Sequence, residues 1–445
     1  MSANRTLDPG ARSQRVDADV VVVGAGPAGI AAATRAAESG RRVLLCDENR
    51  APGGQVWRAR VGESARGVAR RWRARLGRSG ATVLCGTAVV DGTAAGYGGG
   101  FILTAEGPSG AIVVQAHVVI LATGARERFI PFPGWTLPGV IGVGAAQALQ
   151  KGGVSFAGKR VVISGSGPLL LPVAAALTAH GARVLLVAEQ AAPRKVMRFA
   201  AGLWRDPARL FQAARYRIGF LTTPYRLGTW VTAARGDRRV EEVDVTDGVT
   251  ARTISCDVLC AAFGLVPNTE LARLLGCTMS RGSVVVNERQ ETNQSGVFCA
   301  GEPTGIGGVD LAILEGEIAG LCSAGRQEEA RELTVRLARA RVGAAAMDEA
   351  FAPRAELRDL PHADTIVCRC EDISFGAIDS RWTMRKARLY TRAGMGACQG
   401  RVCGAALEFL HGWPSDSTRI PCQPAHCSTL IADGAHDAPS ADHGA

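Results

Sequence analysis

DVVVVGAGPAG, residues 19–29, decides how this chain is read. An uninterrupted apolar run, Val20–Val23, meets glycines in the pattern G-x-G-x-x-G at Gly24, Gly26 and Gly29. The alanine-rich stretch IAAATRAAESG then has helical composition and stops at Gly40, and RRVLLCDE supplies a second apolar strand that closes on Asp47. Strand, glycine turn, helix, strand and acid, in that order, make a dinucleotide-binding unit. Gly24 permits the tight turn, Gly26 lets a pyrophosphate approach the backbone, and Gly29 lets helix and strand pack closely. The helix N-terminus faces the phosphates. Asp47, 18 residues after Gly29, stands where a carboxylate accepts from ribose hydroxyls.

The rest of the composition agrees with a Gly-rich α/β protein of two or three domains: 445 residues, 47% hydrophobic, 55 glycines. The first residues, MSANRTLDPGARSQRVDAD, are polar and carry no apolar segment of a secretory signal. No apolar run reaches the length of about 18 residues that a membrane span needs, so none is expected. Thirteen cysteines, an odd number without a signal, argue for a reducing, cytoplasmic compartment over a disulfide framework. The formal charge of +10 comes from dispersed arginines without interleaved aromatics. That excludes an obvious nucleic-acid surface and leaves a solvated basic face or a patch for an acidic protein partner.

Further elements point back to the first unit. Gly53-Gly54-Gln55 follows Asp47; HVVILATGARER (117–128) is a strand running into Thr123-Gly124; TNQSGVFCAGE (292–302) is a turn and strand ending in Gly301-Glu302. Over about residues 19–325 the chain resembles the two-dinucleotide-domain flavoproteins, the group of thioredoxin reductase and the pyridine nucleotide-disulphide oxidoreductases. The resemblance implies FAD on the first unit, held by Gly24, Gly26, Gly29, Asp47, Gly53, Gly54, Gln55, Thr123 and Gly124. It also implies a returning Gly-acid element on the ribityl chain. Here that element is Gly301-Glu302, with glutamate in place of the usual aspartate.

A second glycine turn, GKRVVISGSGPLL (158–170), has Gly165 and Gly167 but Leu170 at the third glycine position, with Pro168 and Pro172 around it. Its following strand ends at Glu189, with no basic residue behind it to take a 2′-phosphate. The resemblance implies an NAD(P)H domain here. The residues leave two readings: a unit kept as scaffold, or a working site. No C-x-x-C redox pair exists. Cys46, Cys85, Cys256, Cys260, Cys277, Cys299 and Cys322 lie in apolar segments and read as small core residues, with a redox role for Cys256 and Cys260 as the alternative. No Ser/His/Asp set or H-E-x-x-H motif is present, and no residue of the chain is assigned as catalytic.

Residues 326–360 are charged and helical, with apolar positions at Leu333, Val335, Leu337 and Val342, and read as a connecting helix that ends at Pro361. Four cysteines follow as C-x-C-x27-C-x4-C: Cys368, Cys370, Cys398 and Cys403. Zinc fits the C-x-C pair poorly, and a disulfide is disfavoured by the compartment. A [2Fe–2S] cluster fits four thiolates on loops that Gly394, Gly396, Gly400 and Gly404 free for close approach, with Arg369, Arg392 and Arg401 to offset its charge. CRCED with TRAGMGACQGRVC resembles the bacterioferritin-associated-ferredoxin-like [2Fe–2S] domain, although the segment between the pairs is shorter here. Cys422 and Cys427 read as tail cysteines.

Four more stretches carry a narrower resemblance: GARERFIPFPGWTLPGVIGVGAAQALQKGG (124–153), SGSGPLLLPVAAAL (164–177), FGLVPNTELARLLGC (263–277) and GEPTGIGGVDLAILEGEIAG (301–320). They are similar to the α subunits of opine oxidases, D-hydroxyproline dehydrogenases and hydrogen cyanide synthases. That resemblance implies a partner β subunit of glycine-oxidase-like fold carrying the amine-oxidising flavin, with this chain relaying electrons to an unidentified acceptor. The alternatives are a self-sufficient NAD(P)H-dependent FAD reductase and a nucleotide-stabilised scaffold. The expected fold is α/β: two Rossmann-like units, the second inserted in the first, and a small C-terminal helical [2Fe–2S] domain. The expected boundaries are a polar tail at 1–18, a first unit at 19–135 and 265–325, and an insert at 136–264. A helical linker at 326–360, the cluster domain at 361–430 and a flexible tail at 431–445 complete the chain.

Overall fold

The computed structural model describes residues 13–58, 66–95, 99–203, 207–413 and 418–434. In the first unit a long strand, Gly110–Leu121, lies beside Ser13–Val23 over nearly its whole length. Val43–Asp47 and then Thr82–Cys85 add to the far side of Ser13–Val23, all parallel. On the other side of Gly110–Leu121, the antiparallel strands Phe101–Gly107 and Ala88–Ala94 cover its first half. Val297–Cys299 returns in parallel against its second half, pairing Val119–Leu121. Val20–Val23 are all buried, as an apolar strand covered on both faces must be.

Two helices cover one face of this sheet, Pro27–Glu38 and Val309–Ser323. They touch backbone to backbone. A Cβ at Gly316 would stand 2.2 Å from the Ala28 carbonyl oxygen, and one at Gly320 would stand 2.4 Å from that of Ala32. This contact draws the late segment 301–320 onto the opening glycine motif.

The second unit has five parallel strands in the order Tyr225–Leu227, Arg183–Glu189, Arg160–Ser166, Val258–Phe263, Val140–Ile141. A three-stranded antiparallel sheet, Trp230–Arg235, Glu242–Thr246 and Ala251–Ser255, packs beside it. The units are joined by a two-stranded ribbon in which Ala125–Glu127 runs antiparallel to Leu265–Pro267.

Several expectations are revised. Residues 13–18 are strand, because Val16 and Ala18 turn inward against Gly110–Leu121 while Arg15 and Asp17 alternate outward. The rest of the expected polar tail lies outside the described residues. The linker is two helices, Gln327–Arg331 and Thr334–Phe351, followed by an extended stretch at Pro353 and a short 3-10 turn at Ala355–Asp359. Leu337 is buried, but Val335 and Val342 are exposed, so only part of the supposed apolar face packs. Residues 418–434 include a helix, Cys427–Gly434, and return to the first sheet, where the Cys422 N–H donates to the Val90 carbonyl at 2.7 Å. The C-terminal module combines the hairpin Ile366–Cys368/Ile373–Ser374 with helices Met384–Thr391 and Cys403–His411 around Val367, Met384, Leu407 and Trp413. Among the described residues, no helix is long and apolar enough to cross a membrane.

Candidate functional site

Several site glycines of the first unit pack closely against other segments. Gly24 has φ +100°, and a Cβ there would lie 2.3 Å from the Ala122 carbonyl oxygen; one at Gly29 would lie 1.7 Å from that of Gly24. Gly54 sits over Gly26, with its Cβ position 3.0 Å from the Gly26 Cα, and the Gly53 N–H donates to Ala25 at 2.6 Å. The Gly301 Cβ position lies 2.8 Å from the Ala28 side chain. The four sequence segments therefore meet at one place. Gly26 and Gly124 differ from the others, since a Cβ at either would meet nothing within 4 Å. Both face open space, and Gly26 caps the N-terminus of Pro27–Glu38, the cradle an anionic group takes. Gln55 is exposed at the turn that follows.

Asp47 is nearly buried, and its carboxylate accepts from the Ala25 N–H at 2.5 Å and from Asn49 at 2.7 and 2.8 Å. It ties the glycine turn to the next loop, a duty not foreseen beside ribose binding. Thr123 and Gly124 are held by Asn268, which lies in the stretch 263–277 but has no role assigned from sequence. The Asn268 side chain donates to the Thr123 carbonyl at 2.9 Å, its N–H donates to Gly124 at 3.0 Å, and its carbonyl accepts from the Thr123 hydroxyl at 2.5 Å. The Gly301 N–H donates to Glu315 at 2.9 Å, and Glu315 is paired at 3.3 Å with Arg341 of the linker helix. Glu302 accepts from the Gly308 N–H at 3.2 Å through Oε1, while Oε2 is buried without a partner. Burial pushes the Glu302 carboxyl up to about 7. An unpartnered buried oxygen beside an open glycine cradle fits a nucleotide cofactor with hydroxyl donors.

The second glycine turn is bonded to a distant part of the chain. Gly167 donates to Glu189 at 2.7 Å, and Ala191 donates to the same carboxylate at 2.8 Å. Glu189 has no exposed surface and is pushed up to about 7 by burial. The Ser166 hydroxyl donates to the Phe351 carbonyl at 2.5 Å, and the Gln190 amide donates to Ser166 at 2.8 Å and to the Ala352 carbonyl at 3.2 Å. The Arg354 N–H closes the set on Gln190 at 3.0 Å, and its guanidinium lies 3.8 Å over the Trp230 ring. Phe351 packs edge-on to Phe199 at 5.5 Å and lies nearest the Gly167 Cβ position. Leu170 is buried in the core between strand and helix, so the third glycine position serves packing. Neither Gln190 nor Phe351–Arg354 carries a motif that sequence alone would single out.

The C-terminal cysteines stand as two thiol pairs. The Cys368 and Cys403 thiols act on one another, as do those of Cys370 and Cys398. Backbone N–H groups of Gly394, Glu371 and Cys370 also point at the Cys368 sulfur. With the Cys403 thiol as the leading cause, they pull Cys368 down to about 5, whereas its partner Cys403 is pushed up. A Cβ at Gly396 would lie 2.3 Å from that of Cys370, so glycine is what admits the close approach of the two loops. Among the described residues no three Cys, His, Asp or Glu side chains converge as a single-ion site. Two thiol pairs with N–H groups aimed at sulfur fit a two-iron centre better than one tetrahedral zinc. Cys422 is buried on the first sheet and Cys427 is exposed. Cys256 is pushed up to about 11 by burial and Cys260 is fully buried, which leaves both thiols inert.

A sequence model of the pyridine nucleotide-disulphide oxidoreductase family matches residues 18–316. The chain is 32% identical to one of the subunits of opine oxidase from Agrobacterium tumefaciens, over 88% of this chain and 85% of that one. It is also 32% identical to the HcnB subunit of hydrogen cyanide synthase from Pseudomonas aeruginosa, over 86% and 90%. Among solved structures, L-proline dehydrogenase from P. horikoshii superposes with a TM-score of 0.67 at 20% identity, covering 94% of this chain and 80% of that one. Thioredoxin reductase from T. acidophilum superposes with 0.54 at 24% identity, covering 69% and 98%. These two likenesses are of fold.

Proposed function

The chain belongs to the pyridine nucleotide-disulphide oxidoreductase family, as an oxidoreductase subunit of the opine oxidase and hydrogen cyanide synthase type, and on that premise we propose that it is the electron-relay subunit of a cytoplasmic amine or imino-acid dehydrogenase. Its substrate class is that of opines, D-hydroxyproline or glycine, and the oxidation takes place on a partner flavoprotein subunit of glycine-oxidase-like fold. FAD binds the first unit and a [2Fe–2S] centre binds Cys368, Cys370, Cys398 and Cys403. When bound, the first supplies two-electron and the second one-electron redox chemistry.

The observation that carries this reading is the second glycine turn. Ser166 and Gln190 spend their hydrogen bonds on the Phe351 and Ala352 carbonyls of the linker, beside the turn where a pyridine nucleotide would bind. Electrons then enter from the partner rather than from NAD(P)H. In the first unit Gly26 leaves its backbone open to the pyrophosphate, Asp47 holds the turn, and Glu302 presents Oε2 to the cofactor. In the cluster loops, the N–H groups of Gly394, Glu371 and Cys370 stabilise thiolate on Cys368.

The test is co-expression with a glycine-oxidase-like flavoprotein encoded beside it, followed by anaerobic addition of amines and imino acids of the three classes. Reduction of both flavin and iron–sulfur absorbance by one of them, through the complex and not through this chain alone, is the expected result. Reduction of the lone chain by NADH would favour the self-sufficient reductase.

A further inference from the structure

On the reading that the four thiolates hold a [2Fe–2S] centre, we infer that Arg126 is its positioning residue: it clamps the Cys398–Cys403 loop to the joint between the two nucleotide-binding units and holds the centre's reduction potential up. Arg126 lies in the middle of Ala125–Glu127, one of the two crossings between the units. Its guanidinium donates to the Asn268 side-chain oxygen at 2.7 Å and pairs with Glu270 at 2.8 Å. Its Nε donates to the Arg401 carbonyl at 3.1 Å. Arg401 stands between Cys398 and Cys403 in the chain, so this bond grips the loop that carries both thiols.

Asn268 uses its remaining groups on Thr123 and Gly124. One run of hydrogen bonds therefore joins the turn that faces the proposed flavin to the loop that carries the thiolates: Thr123, Asn268, Arg126, Arg401. Arg126 and Glu270 are each only 24% exposed, and the bond to the Arg401 carbonyl holds the guanidinium against the loop between Cys398 and Cys403. In a partly dehydrated place, a fixed cation favours the reduced centre, which carries one more negative charge, and a fixed anion opposes it. Arg126 and Glu270 therefore pull the potential in opposite directions. Arginine is needed because its planar fork makes three bonds in three directions, which an ammonium on a flexible stem does not.

The experiment uses the full chain as wild type, Arg126→Gln, Arg126→Lys and Glu270→Gln, with iron and sulfide measured for each. The midpoint potential is read by redox titration followed by electron paramagnetic resonance. Arg126→Gln is expected to move it negative, Glu270→Gln to move it positive, and Arg126→Lys to fall between wild type and Arg126→Gln. If Arg126→Gln holds no iron, the sign of the Glu270→Gln shift decides: positive supports the inference and no shift overturns it. Loaded variants that all titrate with the wild type overturn the inference alone. A wild-type chain without iron or sulfide overturns the cluster reading and this inference with it.

Discussion

The Ser166 hydroxyl donates to the carbonyl oxygen of Phe351 across 185 residues of sequence, so the linker is bonded to the second glycine turn. NADH and NADPH are therefore expected to leave the flavin oxidised in anaerobic stopped-flow mixing. Fast bleaching by either would mean that the Phe351–Arg354 segment leaves its place. Phe351→Ala removes the edge contact with Phe199 and is expected to cost about 1–2 kcal/mol, since the side chain is only half-buried. Denaturant unfolding measures it. The variant should still resist NADH, because Ser166 and Gln190 hold main-chain carbonyls.

Two glycines of one motif should fail in different ways. Gly29→Ala places a methyl 1.7 Å from the Gly24 carbonyl and is expected to destabilise by more than about 4 kcal/mol or to abolish folding. At Gly26 the added Cβ meets no protein atom within 4 Å. Gly26→Val should fold and melt with the nucleotide-stripped wild type, yet carry no nucleotide after denaturing extraction. A Gly26→Val chain with wild-type nucleotide content places the cofactor elsewhere.

Iron and acid-labile sulfide are each expected at about two per chain, with a rhombic resonance after reduction. Cys398→Ser should remove that resonance. Cys422→Ser should keep it and lose only about 1 kcal/mol from the buried contact with the Val89 carbonyl at 3.7 Å. Zinc at about one per chain, without a chromophore beyond flavin, would make the module structural.

Glu302 gives a pH dependence whose sign follows from its raised carboxyl, at about 7 against an ordinary 4.5. Between those values the folded chain holds a proton that the unfolded chain has lost. The contribution to stability is therefore full below about 4.5 and is lost as pH rises towards 7. Glu302→Gln should flatten part of that fall in the melting temperature of the stripped protein, while Glu189, Glu127 and Glu315, also raised by burial, keep the remainder. Parallel profiles for variant and wild type would show Glu302 ionised in the fold.

The α/β character, the two glycine turns and the cysteine spacing were legible because each depends on neighbours in sequence. Val20–Val23 into Gly24 is a strand meeting a turn whatever surrounds it, and Leu170 announces a changed helix–strand contact by itself. The roles of Asn268, Arg126 and Gln190 were not legible. Each is an ordinary polar residue whose role comes from a partner at long range: Asn268 from Thr123, Arg126 from Arg401, Gln190 from Ala352. The expected single linker helix failed at Pro353, and the apolar count misread Val335 and Val342, because a helical period does not say which faces have something to pack against.

By itself, then, the sequence determined which backbone can turn tightly and which thiols are free to meet, since glycine geometry and thiol chemistry are local properties. Tertiary structure alone decided that the linker is bonded to the second glycine turn while Gly26 of the first faces no protein atom within 4 Å. The bonds come from Phe351–Arg354: the Phe351 and Ala352 carbonyls accept from Ser166 and Gln190, and the Arg354 N–H donates to Gln190. Those buried donors need acceptors, and the fold brings the linker's main chain to them when Arg341 docks its helix on Glu315.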